Sequence, residues 1–336
     1  MLGASERPLV AAYDLVMFDL DGVVYIGDEA VPGAPEHLAR AREEGAHLAF
    51  ITNNASRPPE AVADKLLHLG IRASVQDVVT SAQAAARMVR DRFGDGARVA
   101  CLGAAGLEEA LRAEGLEPVA VADEDAVVLV TGYAPDVAWK EIMRAAVRVR
   151  GGLPWVASNA DLSLPTPFGL APGHGVLVRL IEQFAEVEAE VAGKPERPLL
   201  DETVRRVGGR RPLMVGDRLD TDIEGANRAG FDSLLVMTGV TDLAVLAAAE
   251  PALRPTYVAA DLAGLFTAQP APEETDSGWT CGGWTASVSA GRLVVEGGGA
   301  PSDWWRVVAS AAWQALDDGE PVDVADAVPP GGGAGR

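Results

Sequence analysis

Cysteine is nearly absent from this 336-residue chain: only Cys101 and Cys281 occur, far apart and in no metal-binding or disulfide spacing. A disulfide framework is therefore excluded, and two reduced thiols are what a cytoplasmic protein would carry. Positive charge is scarce as well. Lys and Arg number 28 against 49 Asp and Glu, a net charge of −21, which argues against the basic face that nucleic acid or an anionic membrane needs. No apolar run reaches membrane-spanning length, and the first residues (Met1-Leu-Gly-Ala-Ser-Glu-Arg-Pro8) lack a signal-peptide pattern. No fixed period recurs, which argues against a repeat architecture. The composition is 48% apolar and 23% charged, a globular mix with length for two or three domains. The acidic total does not exclude an anionic substrate, which responds to local charge more than to the sum.

The chain is organised around Phe18-Asp19-Leu20-Asp21-Gly22-Val23-Val24-Tyr25. The apolar run Leu15-Val-Met-Phe18 reads as a buried strand of a parallel sheet, ending in two carboxylates spaced two apart and then a glycine. Ligands of open α/β sheets bind beyond the carboxyl ends of the strands, so Asp19 and Asp21 stand where such a sheet does chemistry. The pattern repeats. A helix carrying His37, Leu38, Ala41 and Glu44 leads to the strand Ala46–Ile51, which ends in Thr52-Asn53-Asn54. Another helix opens at Pro58-Pro59 and closes at Gly70. This alternation predicts a doubly wound α/β core.

From about Thr80 to Pro165 a second α/β set intervenes, with strands over 98–103, 126–133 and 154–158 and helices over 82–92, 107–113 and 139–149. It reads as an insertion, because the first pattern then resumes. A helix over 176–188 precedes Gly193-Lys194-Pro195, a strand over 212–215 runs into Gly216-Asp217-Arg-Leu-Asp-Thr-Asp222-Ile, and strands follow over 232–237 and 256–260. Residues 269–277 read as a linker. Five of the seven tryptophans lie beyond it, which marks a separate C-terminal unit: a hairpin of 284–289 and 292–296, a helix over 304–316, and a disordered end over 329–336. A β-β-α unit this small lacks a sufficient core and is expected to pack on the main body or on a partner.

The strand tips collect Asp19, Asp21, Thr52, Asn53, Lys194, Asp217 and Asp222. A carboxylate there can act as a nucleophile toward phosphorus, splitting one hard hydrolysis into two easier steps. Attack on a phosphate dianion needs cations, and Mg²⁺ with a lysine supplies them. A hydroxyl and an amide N–H can hold phosphoryl oxygens, and an aspartate two residues on can move the protons. Other polar residues have plainer readings. Asp220 reads as a solvent-facing turn residue, Asn159 and Asp161 as hinge or capping residues, His47 as structural and His174 as a loop residue.

Four motifs in this order, Asp19-Leu-Asp21-Gly-Val-Val, Thr52-Asn53-Asn54, Lys194 before proline and Gly216-Asp217-Arg-Leu-Asp-Thr-Asp222, resemble the haloacid dehalogenase superfamily of phosphatases. Tyr25, the run Ile51-Thr-Asn-Asn-Ala-Ser56 and the ending Thr221-Asp222-Ile223 are similar to its NagD-like, type IIA branch. That resemblance implies a doubly wound, parallel, Rossmann-like core over 10–80 and 166–268, an α/β cap over 81–165, and Mg²⁺ as cofactor. It implies Asp19 as nucleophile, Asp21 as acid and base, and Lys194 as the neutralising cation. Thr52, Asn53 and Asn54 would bind the phosphoryl group. Asp19, Asp217 and the main-chain carbonyl of Asp21 would hold the metal, with Asp222 and Gly22 supporting them. The tryptophan-rich unit over 278–328, read as an acetyltransferase-like remnant behind such a core, resembles the actinobacterial glycerol-3-phosphate phosphatases. Glycerol 3-phosphate is then the first expected substrate, ahead of phosphoglycolate, pyridoxal phosphate or a nucleotide. Expected partners are a small phosphorylated metabolite and, through the cap or the tail, a second copy of the chain; the non-enzymatic alternative is a partner-binding tail.

Overall fold

The run Leu15-Val-Met-Phe18 forms the strand Leu15–Asp19 in the computed structural model, which describes residues 1–166 and 169–330. The chain divides into two units, residues 1–48 with 209–336, and residues 49–208. In the first unit Leu15–Asp19 pairs in parallel with Pro212–Gly216, that strand with Asp232–Val236, and that one with Tyr257–Ala259. Leu15 to Phe18 and Leu213 to Val215 are wholly buried, the continuous apolar pattern of strands covered on both faces. Phe18 lies opposite Val215, so Asp19 and Asp217 leave neighbouring strands at the same edge. The mixed α/β fold with parallel sheets is the expected class.

The C-terminal part of this unit departs from the expected β-β-α arrangement. Four antiparallel strands, Glu273–Thr275, Gly278–Cys281, Trp284–Ser289 and Arg292–Gly297, precede the helix Pro301–Asp317. The first of them lies inside the stretch read as a linker. Its three residues are all exposed, so no hydrophobic pattern marks it; only its ladder to Gly278–Cys281 makes it a strand. Trp279 and Cys281 alternate inward and are buried. Trp304, Trp305 and Trp313 are buried too, in one cluster with Leu219, Ile223, Leu235, Leu246 and Val258 of the same unit. Trp304 and Trp305 meet edge to face with centroids 4.9 Å apart, and the Trp313 indole N–H donates to the Leu246 carbonyl at 2.8 Å. The tail therefore packs on the main body, and Trp279, Trp304, Trp305 and Trp313 are core residues, with Trp284 partly buried against the same cluster. Of the expected disordered end, 331–336 lie outside the described residues.

In the second unit a five-stranded parallel sheet has the order Glu117–Val119, Arg98–Leu102, Val128–Thr131, Trp155–Ala157, Glu190–Val191. The helices Ser81–Phe93, Ala105–Ala113, Trp139–Arg150, His174–Ala185 and Pro198–Val207 belong to the same unit. The strand His47–Thr52, whose first residue is exposed, pairs in parallel with Val78–Thr80, a short strand not anticipated from the sequence. Also unanticipated is the antiparallel pair Ser163–Thr166 and Gly169–Pro172. The helix expected over 176–188 begins earlier, at His174, and ends at Ala185, where Glu186 turns left-handed at φ 58°. Among the described residues no helix is long and apolar enough to cross a membrane.

Candidate active site

Two clusters of polar residues stand at strand ends, one in each unit. In the first, Asp19 is the last residue of its strand and is half-buried, while Asp217 and Asp222 are fully buried. One carboxylate oxygen from each of the three lies within 4.8 Å of the others. Two unit negative charges at that distance repel by about 3–4 kcal/mol even in a moderately polar medium. The donor set is all oxygen, closely spaced and mostly out of water, which suits a small hard dication such as Mg²⁺.

The backbone is shaped to this trio. After Asp19 the chain folds back, with Val24 N–H donating to Leu20 O at 2.9 Å and Gly22 N–H to Tyr25 O at 2.8 Å. Gly22 has φ +86°, and a Cβ there would fall 2.3 Å from Asp217 Oδ2. A Cβ at Gly239 would fall 1.9 Å from the same oxygen. That Oδ2 accepts the Val240 N–H at 2.7 Å, and the Thr238 hydroxyl donates to Gly22 O at 2.7 Å. Asp222 Oδ2 accepts the N–H groups of Asp217 and Arg218 at 3.2 and 3.1 Å, so its carboxylate fixes the loop that carries Asp217. Asp21 is exposed, and its carboxylate is not one of the trio. Asp220 faces solvent as read, but stands in the short π-helix Leu219–Ile223 rather than in a turn, and pairs with Arg218 through two bonds of 3.0 and 2.7 Å.

The second cluster brings together Thr52, Asn53 and Lys194, all buried. Thr52 Oγ1 accepts the Asn54 N–H at 3.0 Å, and exposed Asn54 caps its own turn by accepting from Ser56 N and Oγ at 2.8 and 2.7 Å. Asn53 Oδ1 accepts the Lys194 N–H at 2.8 Å, and Asn53 Nδ2 donates to Lys194 O at 2.9 Å and to Asp161 Oδ1 at 3.0 Å. The Asn53 carbonyl accepts from Ser81 Oγ at 2.6 Å and from Asn159 Nδ2 at 2.7 Å. Gly193 admits this close packing, since a Cβ there would meet Asn53 Oδ1 at 2.6 Å. Nothing local in the sequence marks Ser81 as part of this network, and Asn159 and Asp161 carry more than the hinge or capping role read for them. Their only sequence signal is their place just after a strand, in Ser158-Asn-Ala-Asp161.

His174 is not a loop residue. It stands in the first turn of its helix, buried, with Nε2 3.2 Å from Thr131 Oγ1, to which the Trp155 indole N–H also donates at 3.0 Å. Burial pushes its imidazole down from 6.5 to about 4, so it is neutral in the fold. A depressed folded value means the unfolded chain takes the proton first. Its contribution is complete above about pH 6.5 and is lost as pH falls toward 4, about 2 kcal/mol between pH 7.5 and 5. Urea unfolding of wild type beside His174→Gln at those two pH values checks this: the variant is expected to lose less stability on acidification.

A family model described as haloacid dehalogenase-like hydrolase matches residues 16–117, and a second, HAD-hydrolase-like, matches 191–265. The D-glycerol 3-phosphate phosphatase of Mycobacterium tuberculosis is 38% identical over 324 residues, 92% of this chain and 88% of its own length. The 5′-nucleotidase YutF of Bacillus subtilis is 34% identical over 231 residues, 68% of this chain and 89% of its own. Among solved structures, the M. tuberculosis glycerol phosphate phosphatase in complex with magnesium superimposes with TM-score 0.83 at 38% identity, covering 92% of each chain.

Proposed function

This chain belongs to the haloacid dehalogenase-like hydrolases and is a phosphatase of their NagD-like branch, and from that premise we propose that it hydrolyses a small phosphate monoester, glycerol 3-phosphate first, through an aspartyl-phosphate. The close trio of half-buried Asp19 with buried Asp217 and Asp222 is the observation that carries the chemistry. Asp19 attacks phosphorus while the substrate oxygen leaves with a proton from Asp21; Asp21 then takes a proton from the water that attacks the aspartyl-phosphate. The Thr52 hydroxyl donates to a phosphoryl oxygen, and the Lys194 ammonium balances the charge of nucleophile and phosphate. Asp19, Asp217 and the Asp21 carbonyl would hold Mg²⁺, with Asp222 keeping the Asp217 loop in place. Bound there, the ion supplies Lewis-acid neutralisation of the phosphoryl oxygens. In this reading the α/β set over 81–165 is the cap that selects the leaving group.

The substrate is favoured by the extent of likeness. Similarity to the glycerol-phosphate enzyme covers 92% of this chain, whereas similarity to the nucleotidase covers 68%. Phosphate release from a panel of glycerol 3-phosphate, phosphoglycolate, pyridoxal phosphate and nucleoside monophosphates, with and without Mg²⁺, tests it. Glycerol 3-phosphate is expected to lead in kcat/KM by about 10-fold or more. A nucleotide leading the panel would overturn the substrate while leaving the hydrolase intact.

A further inference from the structure

The hydrogens of the Asn53 amide are committed within the fold. Nδ2 carries two, and both have acceptors, the Lys194 carbonyl at 2.9 Å and Asp161 Oδ1 at 3.0 Å. On its other side Oδ1 takes the Lys194 N–H at 2.8 Å. The side-chain amide thus bonds both main-chain groups of Lys194, as a neighbouring strand would, and does so out of water. Its orientation is determined. Flipped, it would set N–H against the Lys194 N–H and oxygen against both the Lys194 carbonyl and the Asp161 carboxylate. Asn53 is held in turn, because its carbonyl takes hydrogen bonds from Ser81 and Asn159. Buried networks in which the partners are satisfied are rigid, and removing one partner exposes the cost of those left unpaired.

We propose that Asn53, Asp161 and Asn159 are positioning residues: Asp161 and Asn159 hold Asn53, and Asn53 clamps the backbone of Lys194 so that its ammonium is delivered at one fixed place. This assigns the Asn53 side chain to Lys194 rather than to the phosphoryl group, and it rests on the reading of Lys194 as the neutralising cation. Asp161 acts by fixing which end of the amide faces Lys194.

The test uses the full-length protein with Mg²⁺ and the variants Asn53→Ala, Asp161→Ala, Asn159→Ala and Lys194→Ala, with thermal melting to identify any that fail to fold. Hydrogen–deuterium exchange is followed in the peptide containing Lys194. The Lys194 amide is expected to be protected in wild type and to exchange about 10-fold faster or more in Asn53→Ala and Asp161→Ala. In hydrolysis of 4-nitrophenyl phosphate, Asn53→Ala is expected to lose about 10²-fold in kcat, as a small displacement of a catalytic group does. KM should stay within about 3-fold, since the amide touches no substrate. In a Lys194→Ala background the same substitution should cost less than about 3-fold, because the two act as one unit. Unchanged exchange, or the full 10²-fold loss persisting without Lys194, would overturn the clamp. Failure of the two readings is separable. An active wild type with unchanged exchange removes the clamp and keeps the hydrolase; exchange that responds in a protein inactive on every ester keeps the clamp and removes the hydrolase. Should Asn53→Ala not fold, the milder Asp161→Ala carries both readouts.

Discussion

Asp19→Asn is expected to fold normally and to lose phosphate release by at least about 10³-fold, the scale of removing a nucleophile. The loss combines the missing nucleophile with a weaker metal site and leaves the fold in place, because of where the residue stands. Leu15 to Phe18 are wholly buried and pack the strand, whereas Asp19 is its half-buried last residue. Asparagine has nearly the same shape, so strand and turn survive; its amide nitrogen and oxygen cannot make the acyl-phosphate that a carboxylate makes. Thermal melting in chelator alongside the release assay separates the two effects: a midpoint no lower than wild type, since one charge leaves the trio, with lost activity is expected. Release within a few-fold of wild type would mean that another group attacks phosphorus.

Asp217→Asn is expected to act on the metal instead. The residue is fully buried, one of its oxygens accepts the Val240 N–H at 2.7 Å, and two glycines, Gly22 and Gly239, leave room around that oxygen. An asparagine can keep the Val240 bond through its carbonyl oxygen but takes one negative charge out of the trio. The Mg²⁺ concentration for half-maximal activity should rise by about 10–100-fold, with part of the activity recovered at high Mg²⁺. Without metal the sign reverses. Three carboxylate oxygens within 4.8 Å repel one another, so the variant should melt no lower than wild type in chelator, and lower than wild type in Mg²⁺. Activity unaffected by Mg²⁺ in both proteins would remove the metal from the site.

The acidic cluster is legible in the sequence because its residues announce themselves locally. A buried apolar run, an abrupt pair of carboxylates and a glycine are all contained in eight positions around Asp19, and Gly216-Asp217 repeats the device on the neighbouring strand. The second cluster is legible only in its members. Thr52, Asn53 and Lys194 stand out at strand tips, but the pairing of Asn53 with Lys194 spans 141 residues, and nothing local states that a side-chain amide will bond a distant main chain. Ser81, Asn159 and Asp161 stay hidden as parts of that network for the same reason. Gly239 is silent because a glycine before a valine carries no signal until Asp217 is seen beside it. His174 reads as loop because of its flanking glycines, which serve as Ncap and first-turn residues of a helix. In the tail, the strand Glu273–Thr275 is polar on both faces, and periodicity cannot find such an edge.

The proposed mechanism turns on Asp19 carrying the phosphoryl group. Rapid mixing of enzyme and Mg²⁺ with 32P-labelled glycerol 3-phosphate, stopped in acid over a series of times, measures it directly. Label on the protein should rise and decay ahead of full phosphate release, lie in the peptide containing Asp19 and be absent from Asp19→Asn. Phosphate released at the full rate with no label on the protein at any time would contradict it.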